Sequence, residues 1–113
     1  MVPNQTELLT NLRRGTLEYC ILGILSENGG YGHQMARDLV STGQLLSSEG
    51  TLYPLLTRLR GAGWIESSWQ ESPAGPPRRH YEITGDGRAA LKAFTGIWES
   101  FSRAVTVATS GGR

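Results

Sequence analysis

The sequence predicts a mainly α domain with a two-stranded β-wing and a long C-terminal helix. Three observations predict it. Apolar residues recur at helical spacing in three successive short segments that end near Leu59. Two alternating segments follow, "WIESSWQ" at 64–70 and "HYEIT" at 80–84. A last helical pattern then runs unbroken over 85–109.

The elements can be taken in order. Residues 1–5 have no apolar pattern and read as a flexible tail. "TELLTNLRRGTLEYCILGILSENGG" reads as helix with a break near Gly15, and Leu17, Cys20, Ile21, Ile24 and Leu25 mark its buried stripe. "NGG" at 28–30 stops it, because asparagine and glycine take left-handed conformations readily. "YGHQMARDLVSTG" is a second, shorter helix with Met35, Ala36, Leu39 and Val40 inward and Gly43 at its end. The third helix opens at Ser48, an N-cap type, and buries Leu52, Leu55, Leu56 and Leu59. Pro54 removes one helical donor and crowds the carbonyl of Gly50, which predicts a bent or tightened first turn. Gly61 and Gly63 end this helix. The two strands of a hairpin come next, with Ile65, Ser67 and Trp69 on one face of the first and Tyr81 and Ile83 on one face of the second. Between them "ESPAGPPRR" reads as a loop too long and too proline-rich for a tight turn. Thr84 caps the last helix, and 110–113 reads as a second flexible tail.

Three helices, a hairpin and a helix, in that order, make a winged helix-turn-helix, which places its third helix in the DNA major groove. The expected division is 6–84 as the DNA-binding domain and 85–109 as a dimerisation helix, forming one compact unit of a 113-residue chain. The formal net charge of +1 neither requires nor forbids nucleic acid. Ten of the eleven cationic residues are arginine, the better fork-shaped donor to phosphate and guanine.

Other chemistries find little support. Cys20 stands alone in an apolar run, so no internal disulfide can form. Cys20, His33 and His80 are too few and too dispersed for a zinc site, so no metal and no cofactor are expected. No Gly-x-Ser-x-Gly elbow is present, and "GGYG" lacks the strand and the Lys-Ser/Thr of a phosphate loop. No catalytic constellation results, and the expectation is a protein that is not an enzyme. No segment approaches a membrane span and the first residues do not read as a signal peptide, which predicts a cytoplasmic protein with no membrane partner.

The third helix presents small or hydrogen-bonding groups at its start: Glu49, Gly50, Thr51 and Tyr53. Small residues allow close approach, free N–H groups at a helix start can meet a phosphate, and Thr51 and Tyr53 can reach phosphate or a thymine methyl. The alternative is a capped surface helix whose polar face is only solvated. Arg78 and Arg79 are equally open to two readings, a solvated loop tip or a wing that meets DNA.

"GTLYPLLTRLRGAGWI" (50–65) followed by "PPRRHYEITGDGRAAL" (76–91) closely resembles the PadR family of bacterial transcriptional regulators. "LRRGTLEYCILGIL" (12–25) and "GGYGHQMARDL" (29–39) agree with it, so the resemblance covers about residues 8 to 105. It implies a dimeric winged-helix repressor that binds double-stranded operator DNA and answers to a small molecule. Carried over by position, it implies DNA contacts at Ser48, Gly50, Thr51, Tyr53 and Pro54 on the recognition helix. Tyr31 and Gly32 lie near a phosphate in this reading, and Arg78 and Arg79 on the wing. Glu49 departs from the proline of many relatives, and a carboxylate there is unfavourable near phosphate unless it reads a cytosine amino group. The alternative function is a winged-helix protein-interaction module without DNA contacts.

Leu91, Phe94, Trp98, Phe101 and Val105 are spaced 3, 4, 3 and 4, a heptad seam. Such a seam covers itself by pairing with a second copy or by packing on its own domain. The resemblance favours the homodimer and adds Leu8, Leu9 and Leu12 as the second contact. Trp98 lies mid-seam, near the two-fold axis of a symmetric dimer. Two indoles there can hold a planar aromatic effector, with Phe94 and Phe101 as walls, or Trp98 can simply fill the interface.

Overall fold

The structure, a computed structural model, describes residues 1–111. Helix α1 spans Gln5–Arg13 and α2 spans Leu17–Glu27. They are separated where Gly15 takes a φ of 78°, the left-handed value that the predicted break requires. A short strand β1 (Gly30–Tyr31) leads directly into α3 (Gly32–Ser41). A 3₁₀ turn over Glu49–Thr51 feeds α4 (Leu52–Gly61). The hairpin β2 (Ile65–Ser72) and β3 (Gly75–Ile83) follows, and α5 runs over Gly85–Thr109. The fold is the mainly helical winged arrangement expected. The sheet has one strand more than expected, because β1 joins it antiparallel in the order β1-β3-β2.

One core joins α2, α3, α4 and the sheet. Leu22, Ile21 and Leu25 of α2, Met35, Ala36 and Leu39 of α3, Leu52, Leu56 and Leu59 of α4, and Ile65 and Tyr81 of the sheet are buried together. The α2 stripe differs from expectation at one point: Ile24 is exposed and Leu22 is fully buried. Helix α2 is packed on more than one side, by α5 and by β3, so its buried face is wider than a single stripe and shifted.

Several local expectations need correction. Asn28 and the glycines after it do not adopt left-handed φ values; Asn28 is extended, at φ −145°, because the chain must run straight into β1. Gly29 is needed there for space, since a Cβ would lie 2.3 Å from the His80 ring. The N-terminal tail is shorter than 1–5: Gln5 is helical, and the Asn4 side chain caps α1 by accepting from the Glu7 N–H at 2.8 Å. Of the expected tail 110–113, residues 112 and 113 lie outside the described residues.

The long loop is also absent. Ser72 pairs with Gly75, so the turn is only Pro73–Ala74. Between Gln70↔Arg78 and Ser72↔Gly75, Pro76 and Pro77 stand opposite Glu71 alone, a bulge. β1 reaches only His80 and Tyr81, so the prolines sit where β3 has β2 as its one neighbour. Among the described residues no helix is long and apolar enough to cross a membrane.

Candidate nucleic-acid interface

The recognition segment begins with the tightened turn that Pro54 predicts. Ser48 makes no side-chain cap bond; its carbonyl accepts instead from the Thr51 N–H at 3.3 Å and from the Thr51 hydroxyl at 2.7 Å. The 3₁₀ geometry takes over the first turn, and α4 proper starts only at Leu52. Ser48, Gly50, Thr51, Tyr53 and Pro54 are all exposed, while Leu52 is buried below them. The Tyr53 ring leans over the start of α3, where a Cβ on Gly32 would be 3.1 Å from Tyr53 Cε1 and 3.4 Å from Tyr81 Cε2. Gly32 therefore lets α3, the recognition helix and the sheet meet. A cavity of about 170 Å³ is lined by Gly32, His33, Tyr53, Arg78, Arg79 and Tyr81. Of the nine expected DNA-contact residues, Gly32, Tyr53, Arg78 and Arg79 are brought together here, and Tyr31, Ser48, Gly50, Thr51 and Pro54 are not part of this lining.

Arg78 and Arg79 do not sit on a loop tip. Both lie within β3, where successive side chains point to opposite faces. Arg78 lies on the Tyr31 face, with its guanidinium 4.3 Å from the centre of the Tyr31 ring and its Nε buried without a hydrogen-bond partner. Tyr31 also meets His80 edge-on at 5.1 Å. Arg79 lies on the other face, 4.5 Å over the Trp69 ring, and its Nη1 donates to Ser67 Oγ at 2.7 Å. Arg60, from the last turn of α4, donates to the same oxygen at 3.3 Å. Burial pushes the Tyr81 hydroxyl pKa up, Arg79 and Arg60 work against that, and Tyr53 adds to it. Arg58 is committed elsewhere, in an ion pair with Glu18 of α2.

The seam of α5 divides. Leu91 packs against the core of its own chain, and Phe94 stacks on Tyr19 at 4.3 Å with the rings 8° from parallel. Tyr19 in turn lies 5.8 Å from Trp64, and Phe94 lies 5.4 Å from Trp98. Beyond Phe94 the face is uncovered: Trp98, Phe101 and Val105 are 43%, 60% and 45% exposed. Leu8 and Leu12 of α1 are exposed as well. Leu9, Leu12, Cys20, Leu45, Phe94 and Trp98 supply the apolar lining of a cavity of about 330 Å³, with Arg13, Thr16 and Gln44 at its edge. Phe101 is not part of that lining. Cys20 is half-buried and burial pushes its thiol pKa up, which suits a packing role.

Residues 21–93 match the family model of the transcriptional regulator PadR-like family. The chain belongs to the PadR-like family. Its members are non-enzymatic DNA-binding regulators. Among solved structures, a PadR family transcriptional regulator from Eggerthella lenta superposes with a TM-score of 0.77 at 30% identity, over 89% of this chain and 88% of that one. A PadR-like transcriptional regulator from Bacillus cereus gives a TM-score of 0.75 at 36% identity, over 85% and 93% of the two chains. An uncharacterized protein of Lysinibacillus sphaericus is 25% identical over 104 residues, 90% of this chain and 95% of that protein. The PadR-like match takes in the recognition helix and the wing and stops just before Phe94, so α1 and the exposed part of α5 lie outside it.

Arg60, Ser67, Trp69 and Tyr81 were not among the expected contact residues, yet they border the same helix–wing surface. Two signals could have found them. Tyr53, Thr57 and Arg60 are spaced 4 and 3 on one helix face, and the Ser67↔Tyr81 and Trp69↔Arg79 pairs follow from strand alternation once the register is known.

Proposed function

We propose that this PadR-like regulator is a homodimeric repressor that binds a pseudo-palindromic operator and is released by a small planar aromatic effector. Residues 6–84 are the DNA-binding unit in this reading, and 85–109 the dimerisation helix. The observation that carries the DNA-binding part is the closure of Gly32, Tyr53, Arg78 and Arg79 around one cavity beside the exposed start of the recognition helix. Tyr31, Ser48, Gly50, Thr51 and Pro54 complete the contact set. A protein-interaction module has no need of such a cationic helix–wing surface. The test is a gel shift against the DNA upstream of its own gene across a salt series. Binding should fall steeply with salt, because each phosphate contact releases counterions, and half-sites should lie about 10 bp apart or a multiple of that. Affinity that is flat in salt would leave the interaction-module reading in its place.

Because the two wing arginines face opposite ways, they should fail separately. Arg79→Ala is expected to weaken binding to all sequences by about tenfold and to reduce the salt slope by about 1 per protomer. Arg78→Ala also releases Tyr31, so it should disturb the start of α3 as well as the charge. A Arg78→Ala, Arg79→Ala double variant that binds any DNA like wild type would remove the wing from the interface.

The effector part rests on Trp98. Leu8, Leu9, Leu12, Trp98, Phe101 and Val105 form the proposed pairing surface, with Leu91 and Phe94 packed on their own domain beside it, and the cavity under Trp98 and Phe94 is apolar and of ligand size. Trp98→Leu should keep the protein dimeric and abolish both tryptophan quenching by planar aromatic compounds and their release of operator DNA. A variant that still responds puts the effector elsewhere; one that is monomeric makes Trp98 a packing residue first.

A further inference from the structure

The face between α4 and the wing holds two arginines without an ion-pair partner among the described residues. Arg60 and Arg79 come from different elements, yet each points an Nη1 at Ser67 Oγ, at 3.3 Å and 2.7 Å. Like charges converging on a neutral hydroxyl repel one another. Among the described residues the ion pairs are Arg58–Glu18 and Arg103–Glu99, so neither Arg60 nor Arg79 has a carboxylate partner. Glu66 and Glu82, cross-strand neighbours in the hairpin register, lie on the opposite face of the sheet.

The hydroxyl itself is informative. A serine oxygen accepts at two lone pairs and donates one hydrogen. The two guanidinium donors fill the acceptor side, which leaves the Ser67 hydroxyl its hydrogen to donate. The group therefore offers donors only: the Ser67 O–H and the unused N–H groups of two arginines. The Arg79 guanidinium lies 4.5 Å over the Trp69 ring, a contact that restrains the side chain beside Ser67. A donor-only cluster with two uncompensated positive charges is complementary to an anion.

We propose that Arg60, Ser67 and Arg79 grip one phosphate of the operator strand that passes between the recognition helix and the wing. Trp69 acts as a positioning residue for Arg79. A strand phosphate is the occupant that fits the place: the cluster lies between the recognition helix and the wing, the two elements proposed to meet DNA, and a helix seated in the major groove is flanked by the phosphate backbone. The inference rests on the DNA-binding reading above.

The experiment combines Arg60→Gln and Ser67→Ala with operator duplexes carrying one neutral methylphosphonate per half-site, moved along the backbone. Arg60→Gln should weaken binding to the native operator about tenfold and lower the salt slope by about 1 per protomer. On one duplex of the series, and one only, the variant and wild type should bind alike, because the phosphate that Arg60 meets is already neutral. Trp69→Leu should weaken binding in the same duplex-dependent way without a change of formal charge. Arg103→Gln, a charge loss on α5, should leave the pattern of the series unchanged, and thermal unfolding should show each variant folded. The proposal is overturned if Arg60→Gln binds like wild type, or if its deficit persists on every neutralised duplex. It is also overturned if inorganic phosphate at constant ionic strength raises the unfolding temperature of wild type but not of Arg60→Gln while both bind operator equally; the niche would then hold a free anion. If wild type itself binds no operator, the DNA-binding reading fails first.

Discussion

Phe101→Glu is expected to leave a folded monomer in sedimentation and to lower operator affinity at least about a hundredfold. Phe101 is 60% exposed in the single chain, one turn from Trp98 and Val105, and stands outside the core cluster of its own chain. Fully burying such a side chain contributes roughly 1.5–3 kcal/mol, and a symmetric dimer buries two copies. The substitution removes that gain and brings two carboxylates toward one axis, where an unpaired charge is costly. A hundredfold loss corresponds to about 2.7 kcal/mol, which lies within that sum. Affinity drops because a monomer reaches one half-site and not two. Val107→Glu is the control. Val107 is 41% exposed but, nine residues from Trp98, lies on the opposite side of the helix. It should remain dimeric. A Phe101→Glu protein that sediments as a dimer would separate α5 from dimerisation altogether.

What could be read from the sequence follows from how local each signal is. The helices are carried by apolar spacing over a few residues, so α2, α3, α4 and α5 fall close to where Leu17–Leu25, Met35–Leu39, Leu52–Leu59 and Leu91–Val105 put them. The breaks at Gly15, Gly43 and Gly63 are equally local, and each has φ near 78°. β1 was not legible, because two residues carry no periodicity and Gly30 and Tyr31 become a strand only by meeting Tyr81 and His80. The prolines at 76 and 77 suggested a loop, but a bulge opposite Glu71 absorbs them, a feature set by pairing across the hairpin. That error hid the alternation that sends Arg78 to Tyr31 and Arg79 to Trp69. Arg60 and Arg79 are distant in sequence and share a partner only after α4 and β3 are packed, so their cluster had no sequence signature. The exposed apolar face of α5 was legible in its spacing, whereas the loss of Leu91 and Phe94 to their own domain depends on where α2 places Tyr19.

Two glycines of α5 should respond to alanine with opposite signs. At Gly96 an added Cβ meets nothing within 4 Å, so Gly96→Ala should stabilise by up to about 1 kcal/mol through helix propensity alone. At Gly87 the same methyl would lie 2.1 Å from the Trp64 carbonyl oxygen and 2.8 Å from Ile83 Cγ1. That oxygen is not free to retreat, because it accepts from the Thr84 N–H at 3.0 Å. Thr84 is itself fixed, donating its hydroxyl to the Gly63 carbonyl at 2.6 Å and capping α5 by accepting from the Gly87 N–H at 3.1 Å. The root of α5, the end of the recognition helix and the start of β2 are thus one hydrogen-bonded joint with no room for a methyl. Overpacking of this kind costs about 1–3 kcal/mol, and displacing a capped turn adds about another 1. Gly87→Ala is therefore expected to lower stability by roughly 2–4 kcal/mol, a fall of at least about 8 °C in Tm for a domain of this size, measured at fixed protein concentration because a dimer's Tm depends on it. Since the joint sets the angle of α5 to the recognition helix, the surviving folded protein should also bind operator more weakly than the Gly96→Ala protein does. A Gly87→Ala protein as stable as wild type would show that α5 can tilt away from Trp64 at little cost, and that the joint does not hold the helix to the reading elements.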